Sequence, residues 1–171
     1  MCESAIGKQN VIAARRALEA DVEFVLAAEA VPENAQGITP WARARHLRMM
    51  EDHSVAFLIV EAKALPVGFM VFCGLDSPTQ SIELRRIVIT EKGQGYGRAA
   101  LQLAKRMTFE EFGVHRFWLD VFTDNRRAEQ LYESEGFVRE GVLRDSYRVE
   151  GQYKSVVILS MLAPEYRASQ R

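Results

Sequence analysis

Cysteine and histidine are scarce in this sequence, and their scarcity excludes two common ways of stabilising or equipping a small protein. The two cysteines, Cys2 and Cys73, lie far apart in the chain, so we expect free thiols in a reducing, cytoplasmic setting and no disulfide framework. The three histidines, His46, His53 and His115, lack the spacing of metal ligands. We therefore predict no metal site.

An excess of charge and a long apolar run are also missing. Lysine and arginine number 22 against 23 aspartates and glutamates, which gives a formal net charge of −1. Without a global positive field, the chain is not expected to bind nucleic acid or an anionic membrane surface. Residues 1–8 lack the apolar core of a secretion signal, and no apolar run approaches the roughly 18 residues that a membrane span needs.

What the chain does contain is a hydrophobic fraction of 48% over 171 residues, enough for one compact domain. We expect a single domain over residues 1–171, with loose termini at 1–9 and 164–171. Short apolar runs predict about seven strands, at 10–17, 54–61, 67–75, 80–90, 114–122, 137–143 and 153–162. Helical spacing predicts about four helices, at 19–30, 40–52, 98–112 and 126–135, with a loop at 32–37 and Thr39 as the N-cap of the second helix.

The connections between these runs predict how the strands pair. Short links in the first half predict antiparallel hairpins, and the succession of strand, helix and strand in the middle predicts one parallel pair. Within the first strand of that pair, Ile82 and Leu84 share one parity, whereas the next apolar residue, Ile87, takes the other. An extra residue near Arg85–Arg86 repairs the alternation. The predicted fold class is α/β: a mixed, mostly antiparallel sheet whose central parallel pair is splayed at a β-bulge.

Three alternating glycines, Gly93, Gly95 and Gly97, follow that strand, and Arg98 and Ala99 then begin a helix. Glycine allows positive φ and lets a ligand approach without meeting a Cβ. The first N–H groups of the helix have no partner within it, and the helix dipole adds partial positive charge there. The turn is therefore a predicted anion site, most naturally for phosphate.

Two known phosphate-binding sequences can be compared with this turn. A Walker loop needs Gly, four residues and then Gly-Lys-Ser or Gly-Lys-Thr, which the chain does not contain. A dinucleotide fingerprint is formally satisfied by Gly95–Ala100, with Asp120 about 20 residues further on. Asp120 is followed by Val121 and Phe122, however, so it lies inside a strand, and too few strand–helix–strand units follow for a doubly wound sheet.

A second pattern follows in the segment Asn125–Phe137, which reads Asn-x-x-Ala-x-x-Leu-Tyr-x-x-x-Gly-Phe. Together with the turn Gly93–Leu101 behind a bulged strand, it resembles the GNAT superfamily of acetyl-CoA-dependent N-acetyltransferases. Within that superfamily, Phe137–Arg144 and Gly151–Tyr153 resemble the branch of RimJ/RimL-type and polyamine acetyltransferases. The resemblance implies a GNAT-like fold, acetyl-CoA as cosubstrate and an amine acceptor, and it is compatible with a homodimer.

The resemblance also implies how acetyl-CoA is held. The bulge would offer backbone groups to the thioester and the pantetheine, at Arg86, Ile87 and Val88. The turn would hold the pyrophosphate with Lys92 and with the backbone amides of Gln94, Gly95, Tyr96, Gly97, Arg98 and Ala99. Lys92 departs from the Gln or Arg of the family pattern, so its own contact differs in geometry. Asn125 matches a family asparagine that contacts the cofactor, although it can also be read as an ordinary helix N-cap.

Direct transfer of an acetyl group to an amine needs a base and an acid but no covalent nucleophile. Tyr132 matches the family tyrosine near the sulfur and is the predicted acid for the leaving thiolate, with a core aromatic as the alternative. Glu83 is the predicted base, with an arginine-paired glutamate as the alternative. Cys73 lies in a strand without an evident histidine partner, so a cysteine nucleophile is not expected.

The acceptor, a small-molecule or peptide amine, stays open at this stage. Acidic residues that suit a polyamine or an N-terminal amine fall near the first two helices, at Glu33, Glu51 and Asp52. The second helix is basic and suits an acidic acceptor instead, or it is simply a solvated face, which we expect for Arg43, Arg45, His46 and Arg48. A protein of another class, a non-catalytic acyl-CoA-binding or protein-interaction module, would keep the same fold.

Overall fold

The computed structural model of the protein describes residues 12–171, and its framework is a sheet of seven strands. The strands are β1 Ile12–Arg16, β2 Val55–Ala62, β3 Leu65–Cys73, β4 Ser81–Ile89, β5 Arg116–Phe122, β6 Val138–Val149 and β7 Gln152–Leu162. The α-helices are α1 Val22–Ala30, α2 Pro32–Ala35, α3 Arg43–Glu51, α4 Tyr96–Arg106, α5 Arg126–Ser134 and α6 Ala163–Ser169. A π-type turn, Met107–Glu111, continues α4. Within residues 12–171, no helix is long and apolar enough to cross a membrane.

The strands are ordered β1-β2-β3-β4-β5-β7-β6 across the sheet, and β4 and β5 are its parallel pair. The other neighbouring strands run antiparallel, which confirms the predicted mixed sheet. The parallel pairing joins Ser81–Glu83 to Arg116–Trp118 and goes no further. The two strands then separate, as the prediction of a splayed central pair required.

The β-bulge lies where the sequence pattern placed it. Phe72 of β3 pairs with Leu84 and the preceding Val71 pairs with Arg86, so Arg85 is the residue left over on β4. An extra residue bends a strand and increases its local twist. The bend lies beside the point where β4 leaves β5, and it directs the second half of β4 away from its neighbour.

Helices cover both faces of the sheet. On one face, α4 and α5 pack on a core that includes Phe72, Leu101 and Phe117. On the other face, α1 and α3 pack on a core that includes Phe57 and Phe69. Because both faces are covered, β2 and β3 read as nearly continuous apolar runs rather than alternating ones. Each fully buried side chain of this size contributes roughly 1.5–3 kcal/mol of burial free energy.

The segment before α3 departs from the prediction. Residues Pro32–Ala35 form a short helix in place of a loop, and α3 begins at Arg43, not at Pro40 behind a Thr39 cap. The main chain at this point is committed to tertiary contacts, because the carbonyl of Thr39 accepts from Arg86 and the N–H of Trp41 donates to Glu29 at 3.0 Å. These bonds hold the segment extended and override the local helix signal.

The C-terminal tail is ordered, which corrects the prediction of a loose end at 164–171. Residues Ala163–Ser169 form α6, where the Glu165 carboxylate accepts the N–H of Leu162 at 2.8 Å. Tyr166 is buried and its hydroxyl donates to Glu110 at 2.7 Å. With α2 and α6 included, the chain has six α-helices among residues 12–171 rather than about four. The predicted loose start at 1–9 lies outside the described residues.

Candidate active site

A cleft of about 1040 Å³ opens where β4 and β5 separate. Its lining comes from β4, the glycine turn, α4, β5, α5, the segment Gly37–Trp41, α3 and β6. Of the predicted site residues, those that line it are Arg86, Ile87, Val88, Lys92, Gly95, Tyr96, Gly97, Arg98, Asn125 and Tyr132. Glu83, Gln94 and Ala99 do not line it. One concave site therefore brings most of the predicted residues together.

The separation leaves the second half of β4 with one edge directed into the cleft. Thr90 donates its N–H to the carbonyl of Val67 on β3 at 2.9 Å. Because the direction of N–H groups alternates along a strand, Ile87 and Ile89 then direct theirs away from β3 and into the cleft. The Ile89 carbonyl does accept a hydrogen bond on that side, from the Asn34 side chain at 3.2 Å. The exposed edge is thus set by the register of β3 and β4.

This alternation corrects part of the predicted set on β4. The N–H groups of Arg86 and Val88 point toward β3, since these residues pair with Val71 and Phe69. Of the three predicted backbone contacts, Ile87 is the one whose N–H faces the cleft. The guanidinium of Arg86 lies at a different place, the opposite wall of the cleft described below.

The glycine turn forms the first turn of α4. Gly95 has φ 77°, a left-handed conformation that suits glycine, and it is the N-cap of the helix. Ala99 donates its N–H to the Gly95 carbonyl at 3.1 Å, so the predicted ligand contact of Ala99 is corrected: its amide is already used. The N–H groups of Tyr96, Gly97 and Arg98 precede that bond and have no acceptor within the helix. They are the donors that this end offers to an anion.

Cationic side chains surround these donors. Lys92 lines the cleft and its Nζ contacts the Oδ1 of Asn34. Burial and then the nearby charge of Arg127 lower the pKa of Lys92. The guanidinium of Arg98 pairs with Glu135 at the end of α5, so Arg98 offers its backbone rather than its side chain to an anion. Lys92 and Arg127 are the positive charges that remain available to phosphate.

Asn125 lies at the end of β5 and caps α5. Its Oδ1 accepts the N–H of Ala128 at 3.2 Å, so the helix-cap reading of this residue is correct. The same side chain also lines the cleft. Its Nδ2 approaches Gly37 so closely that a Cβ at Gly37 would lie 2.9 Å away. The amide is therefore held between α5 and the opposite wall.

Tyr132 projects from α5 into the cleft. It is 8% exposed and its ring packs edge to face on Phe137, with ring centroids 6.1 Å apart. Burial raises the pKa of the Tyr132 phenol, and the charge of Asp120 raises it further. The hydroxyl therefore keeps its proton at neutral pH and is a proton donor, not a base.

Glu83 lies beneath the cleft on β4 and is 6% exposed. Its Oε2 is 2.9 Å from Arg85, so the arginine-paired reading is also correct, and its Oε1 is buried without a hydrogen-bond partner. Burial raises the pKa of Glu83 from its ordinary 4.5 to about 7; Arg85 opposes that rise and Asp120 adds to it. A carboxylate with this pKa suits a base at neutral pH, although it does not line the cleft.

The opposite wall of the cleft is built on Trp41, which the sequence did not single out. The guanidinium carbons of Arg45 and Arg86 each lie 4.2 Å from the centroid of the Trp41 ring. Both cations are thus stacked on one aromatic ring. Burial lowers the pKa of Arg86 to about 10, and the attraction of Glu29 opposes that change.

A buried group of charges holds this wall in place. Glu29 is 2% exposed and lies 3.3 Å from both Arg86 and His46. Its carboxylate also accepts the N–H of Trp41. His46 is completely buried, which corrects the expectation of a solvated face for that residue. We call Glu29, His46, Arg86 and Trp41 the Glu29 cluster.

The other basic residues of α3 divide in two. Arg45 and Arg48 are exposed and line the cleft, whereas Arg43 pairs with Glu23 on the outer surface. Of the acidic residues considered for a polyamine, Glu33 lines the cleft, but Glu51 and Asp52 do not. The Oδ1 of Asp52 instead accepts hydrogen bonds from the backbone and hydroxyl of Ser54 at 2.8 and 2.7 Å.

Asp120 and Tyr147 form a hydrogen-bonded pair that lines the cleft. The Tyr147 hydroxyl donates to Asp120 at 2.8 Å, and both side chains line the cleft. Burial, followed by that hydrogen bond, raises the pKa of Tyr147 to about 12.

Cys73 is a half-buried free thiol whose pKa is raised by burial, which does not favour a nucleophile. Within residues 12–171, no three His, Cys, Asp or Glu side chains are grouped to bind a metal.

Comparison with known proteins identifies the family. The profile of the acetyltransferase (GNAT) domain matches residues 12–138, from β1 to the first residue of β6. The chain belongs to the GNAT acetyltransferase family. The acyl donor of this family is acetyl-CoA, and a cleft with the N–H groups of a helix N-terminus at one end and Tyr132 inside it fits that donor.

Relatives of this GNAT chain include enzymes with two kinds of acceptor. It is 28% identical over 111 residues to a spermidine N(1)-acetyltransferase of Vibrio cholerae, covering 64% of each chain, which is less than two thirds of that relative. It is 31% identical over 116 residues to the N-alpha-acetyltransferase RimI of Mycobacterium tuberculosis, covering 67% of this chain and 72% of that one. A crystal structure of the Vibrio cholerae spermidine N-acetyltransferase with CoA and spermine superposes with a TM-score of 0.81 at 22% identity, over 91% of this chain and 98% of that one.

Proposed function

We propose that this protein transfers an acetyl group from acetyl-CoA to a primary amine by direct attack. The observation that carries the proposal is one continuous path within the cleft. It runs from the amides of Tyr96 to Arg98, along the free edge of β4 at Ile87, to the hydroxyl-bearing ring of Tyr132. An elongated thioester with a diphosphate at one end fits this arrangement of donors.

The residues divide the reaction among them. The N–H of Ile87 polarises the thioester carbonyl, on which negative charge develops as the amine attacks. A C–N bond forms and the C–S bond breaks. Tyr132 gives its proton to the leaving thiolate, and Glu83 takes the proton from the amine through a water at the cleft wall. Each proton therefore has a named source and destination.

We also propose a family branch, a domain extent and a cellular setting for this chain. We place the chain near the RimJ/RimL branch, because its segment Phe137–Arg144 resembles that branch. Residues 12–171 act as one domain, since β6 and β7 extend the sheet beyond the matched profile. A reducing, cytoplasmic setting suits the free thiol of Cys73.

Self-association is proposed for the exposed end of the sheet. Strand β6 is an edge strand and exposes apolar side chains, with Val138 and Leu143 each 52% exposed. Long apolar edges are commonly covered by another chain. A related Vibrio cholerae spermidine N-acetyltransferase is described as dodecameric. Light scattering on a sizing column, with Leu143→Lys as the variant, tests this; a monomer at all concentrations would refute it.

The activity is tested by turnover with a panel of amines. We expect acetylated product and an equal amount of released CoA, both followed by mass spectrometry. Tight binding of acetyl-CoA without transfer to any amine, amino acid or peptide would favour a non-catalytic acyl-CoA-binding module instead. Absence of acetyl-CoA binding would refute the proposed function altogether.

A further inference from the structure

The acceptor end of the cleft is rich in arginine. Of the arginines that line the cleft, five come from α3, the bulged part of β4 and β6: Arg45, Arg48, Arg85, Arg86 and Arg148. Among the described residues, the carboxylates that line the cleft are Glu33, Glu91 and Asp120. Glu33 interacts electrostatically with Lys92 and Glu91 is next to Lys92 in the chain, so Asp120 is the one that does not belong to the glycine-turn end. The whole chain has a formal net charge of −1, so this positive charge is a local concentration and not a general property of the surface. A cleft with one sign of charge raises the local concentration of ligands of the opposite sign.

Three of these arginines have no carboxylate partner within residues 12–171. Arg45, Arg48 and Arg148 are exposed, and none of them makes an ion pair there. Arg43, on the same helix as Arg45 and Arg48 but outside the cleft, pairs with Glu23. The arginines of the cleft wall are therefore available to a ligand.

Each carboxylate near this end already faces a cation or a hydroxyl, and the Oε1 atoms of Glu29 and Glu83, which make no hydrogen bond, are buried. Glu29 is held by Arg86 and His46, and Glu83 is held by Arg85. Asp120 accepts the hydroxyl of Tyr147. A polyamine carries several positive charges that need carboxylates when they leave water. The acceptor end therefore offers a polyamine few carboxylates that are both accessible and unpaired.

Two buried polar atoms in residues that line the cleft have no hydrogen-bond partner, and one of them can only donate. The Nε of Arg86 has no hydrogen-bond partner, although Arg86 is only 5% exposed. The Oγ1 of Thr39 is likewise buried without a partner, and both residues line the cleft. An arginine Nε–H donates and cannot accept, so a carboxylate oxygen is a fitting partner.

The arginines lie away from the phosphate end. Arg45 stacks on the same Trp41 ring as Arg86, which lies beside the bulge. A strand rises about 3.3 Å per residue, so Ile89 and the turn after it lie about 10 Å or more further along β4. Arg45 and Arg86 are therefore placed beside the reacting end of the thioester and not beside its diphosphate.

Resting on the proposed function, we propose that the acceptor amine carries a carboxylate, which Arg45 and Arg48 recognise together with the Nε of Arg86. The carboxylate belongs either to a free acidic amino acid or to an acidic residue at the N-terminus of a peptide. Both present an amine and a carboxylate a few bonds apart. Polyamines, the acceptors named for several relatives, are disfavoured by the same charges.

The test compares acceptors that differ by one charge. The probes are L-glutamate, L-glutamine, spermidine and the tripeptide amides Glu-Ala-Ala and Gln-Ala-Ala, each with saturating acetyl-CoA. We expect kcat/KM for the acidic member of at least one pair to exceed that of its glutamine counterpart by at least tenfold, and to exceed that of spermidine. The free amino acids and the peptides distinguish the two sources of the carboxylate.

Variants of α3 then assign the preference to residues. The double substitution Arg45→Gln and Arg48→Gln should raise KM for the acidic acceptor at least tenfold. It should leave KM for acetyl-CoA and for the glutamine-bearing acceptor within twofold. Arg43→Gln is the matched control on the same helix and should keep the preference. Circular dichroism and acetyl-CoA binding confirm that each variant is folded.

Several results would overturn the inference while leaving the proposed function intact. Spermidine could be the best acceptor, the acidic preference could survive the double substitution, or KM for acetyl-CoA could rise as much as KM for the acidic acceptor. The last result would assign the arginines to the cofactor. Failure to bind acetyl-CoA is a separate result, because it refutes the proposed function itself.

Discussion

The two ends of the cleft are built on different physical principles. At the phosphate end, one continuous segment from Gly95 to Arg98 presents main-chain N–H groups at the start of α4. At the acceptor end, the side chains of His46 and Arg86 and the backbone N–H of Trp41, from three separate segments, meet around the buried carboxylate of Glu29. The first end depends on backbone conformation and the second on charge compensation away from water.

Because of this difference, substitutions at the two ends should have different effects on stability and on ligand binding. Main-chain donors remain whatever side chains surround them, so the phosphate end is sensitive chiefly to the conformation of the turn. The Glu29 cluster depends on each of its side chains, because a buried charge that loses its partner keeps its full desolvation cost. Substitutions should therefore affect stability most at the acceptor end and acetyl-CoA binding most at the phosphate end.

The largest effect is expected for Glu29→Gln. The substitution keeps the shape of the side chain but removes the charge that compensates Arg86, so it should lower the free energy of unfolding by about 3 kcal/mol or more. Urea unfolding measures this change. Because Arg86 loses its charged partner and is stacked on Trp41, this wall of the cleft should loosen, so KM for the acceptor should rise while KM for acetyl-CoA stays within twofold.

The matched control for that variant is Glu23→Gln. Glu23 is on α1, as Glu29 is, but its ion pair with Arg43 lies on the surface. Exposed ion pairs contribute about 0–1 kcal/mol, so this variant should unfold almost as the parent does. Equal losses in the two variants would show that the Glu29 cluster has no special role.

The next largest effect is expected for Tyr132→Phe, which removes only the hydroxyl. General acid catalysis contributes about 10²–10⁴-fold, and we expect kcat to fall by about 10²-fold or more. The dissociation constant of acetyl-CoA should change little, since the ring and its packing on Phe137 remain. Tyr166→Phe is the control, because the hydroxyl of Tyr166 bonds to Glu110 away from the cleft. Unchanged turnover in Tyr132→Phe would remove the acid role.

A smaller effect, with a pH signature, is expected for Glu83→Gln. The pKa of Glu83 is raised from 4.5 to about 7, and a base acts only when deprotonated, so kcat/KM should fall as the pH drops below about 7 rather than below about 4.5. Glu83→Gln should lower kcat/KM at pH 8 by about 30-fold, which is less than the 10²–10⁴-fold typical of a directly placed base because Glu83 acts through a water, and it should abolish that limb of the profile. A limb that persists in the variant would assign it to another group.

The contrast between the two ends also explains what the sequence could predict. The phosphate end is local: the bulged strand, the glycines and the Asn125–Phe137 segment are contiguous patterns, and the structure confirms the bulge and the parallel pair they imply. The error at Ala99 is also local, since α4 begins at Tyr96, two residues sooner than the predicted start at Arg98. Contiguous sequence patterns of this kind predict the local backbone conformation directly.

The acceptor end could not be predicted in the same way. Glu29, Trp41 and Arg86 are separated by long stretches of chain, and no spacing rule connects them. The Thr39-Pro40 pair is a good helix start by local rules, yet contacts to Glu29 and Arg86 hold it extended. His46 reads as a surface residue of a basic helix and is buried because Glu29 is opposite it. Such sites arise from tertiary contacts that override propensity.

The smallest effect in this series is expected for Gly95→Ala at the phosphate end. Gly95 has φ 77°, and alanine in that conformation costs about 1–2 kcal/mol of strain. If the turn relaxes to relieve the strain, the amides of Tyr96 to Arg98 shift, and KM for acetyl-CoA should rise about tenfold, equivalent to about 1.4 kcal/mol. KM for the acceptor amine should stay within twofold.

The control for this variant is Gly151→Ala. Gly151 has φ 84° in the turn between β6 and β7, and a Cβ there meets nothing within 4 Å, so the strain is similar but lies outside the cleft. Both variants should lose about the same free energy of unfolding, because both place alanine in a left-handed conformation. Only Gly95→Ala should weaken acetyl-CoA binding. If both substitutions, or neither, change KM for acetyl-CoA, the binding of the phosphates does not depend on the conformation of the glycine turn.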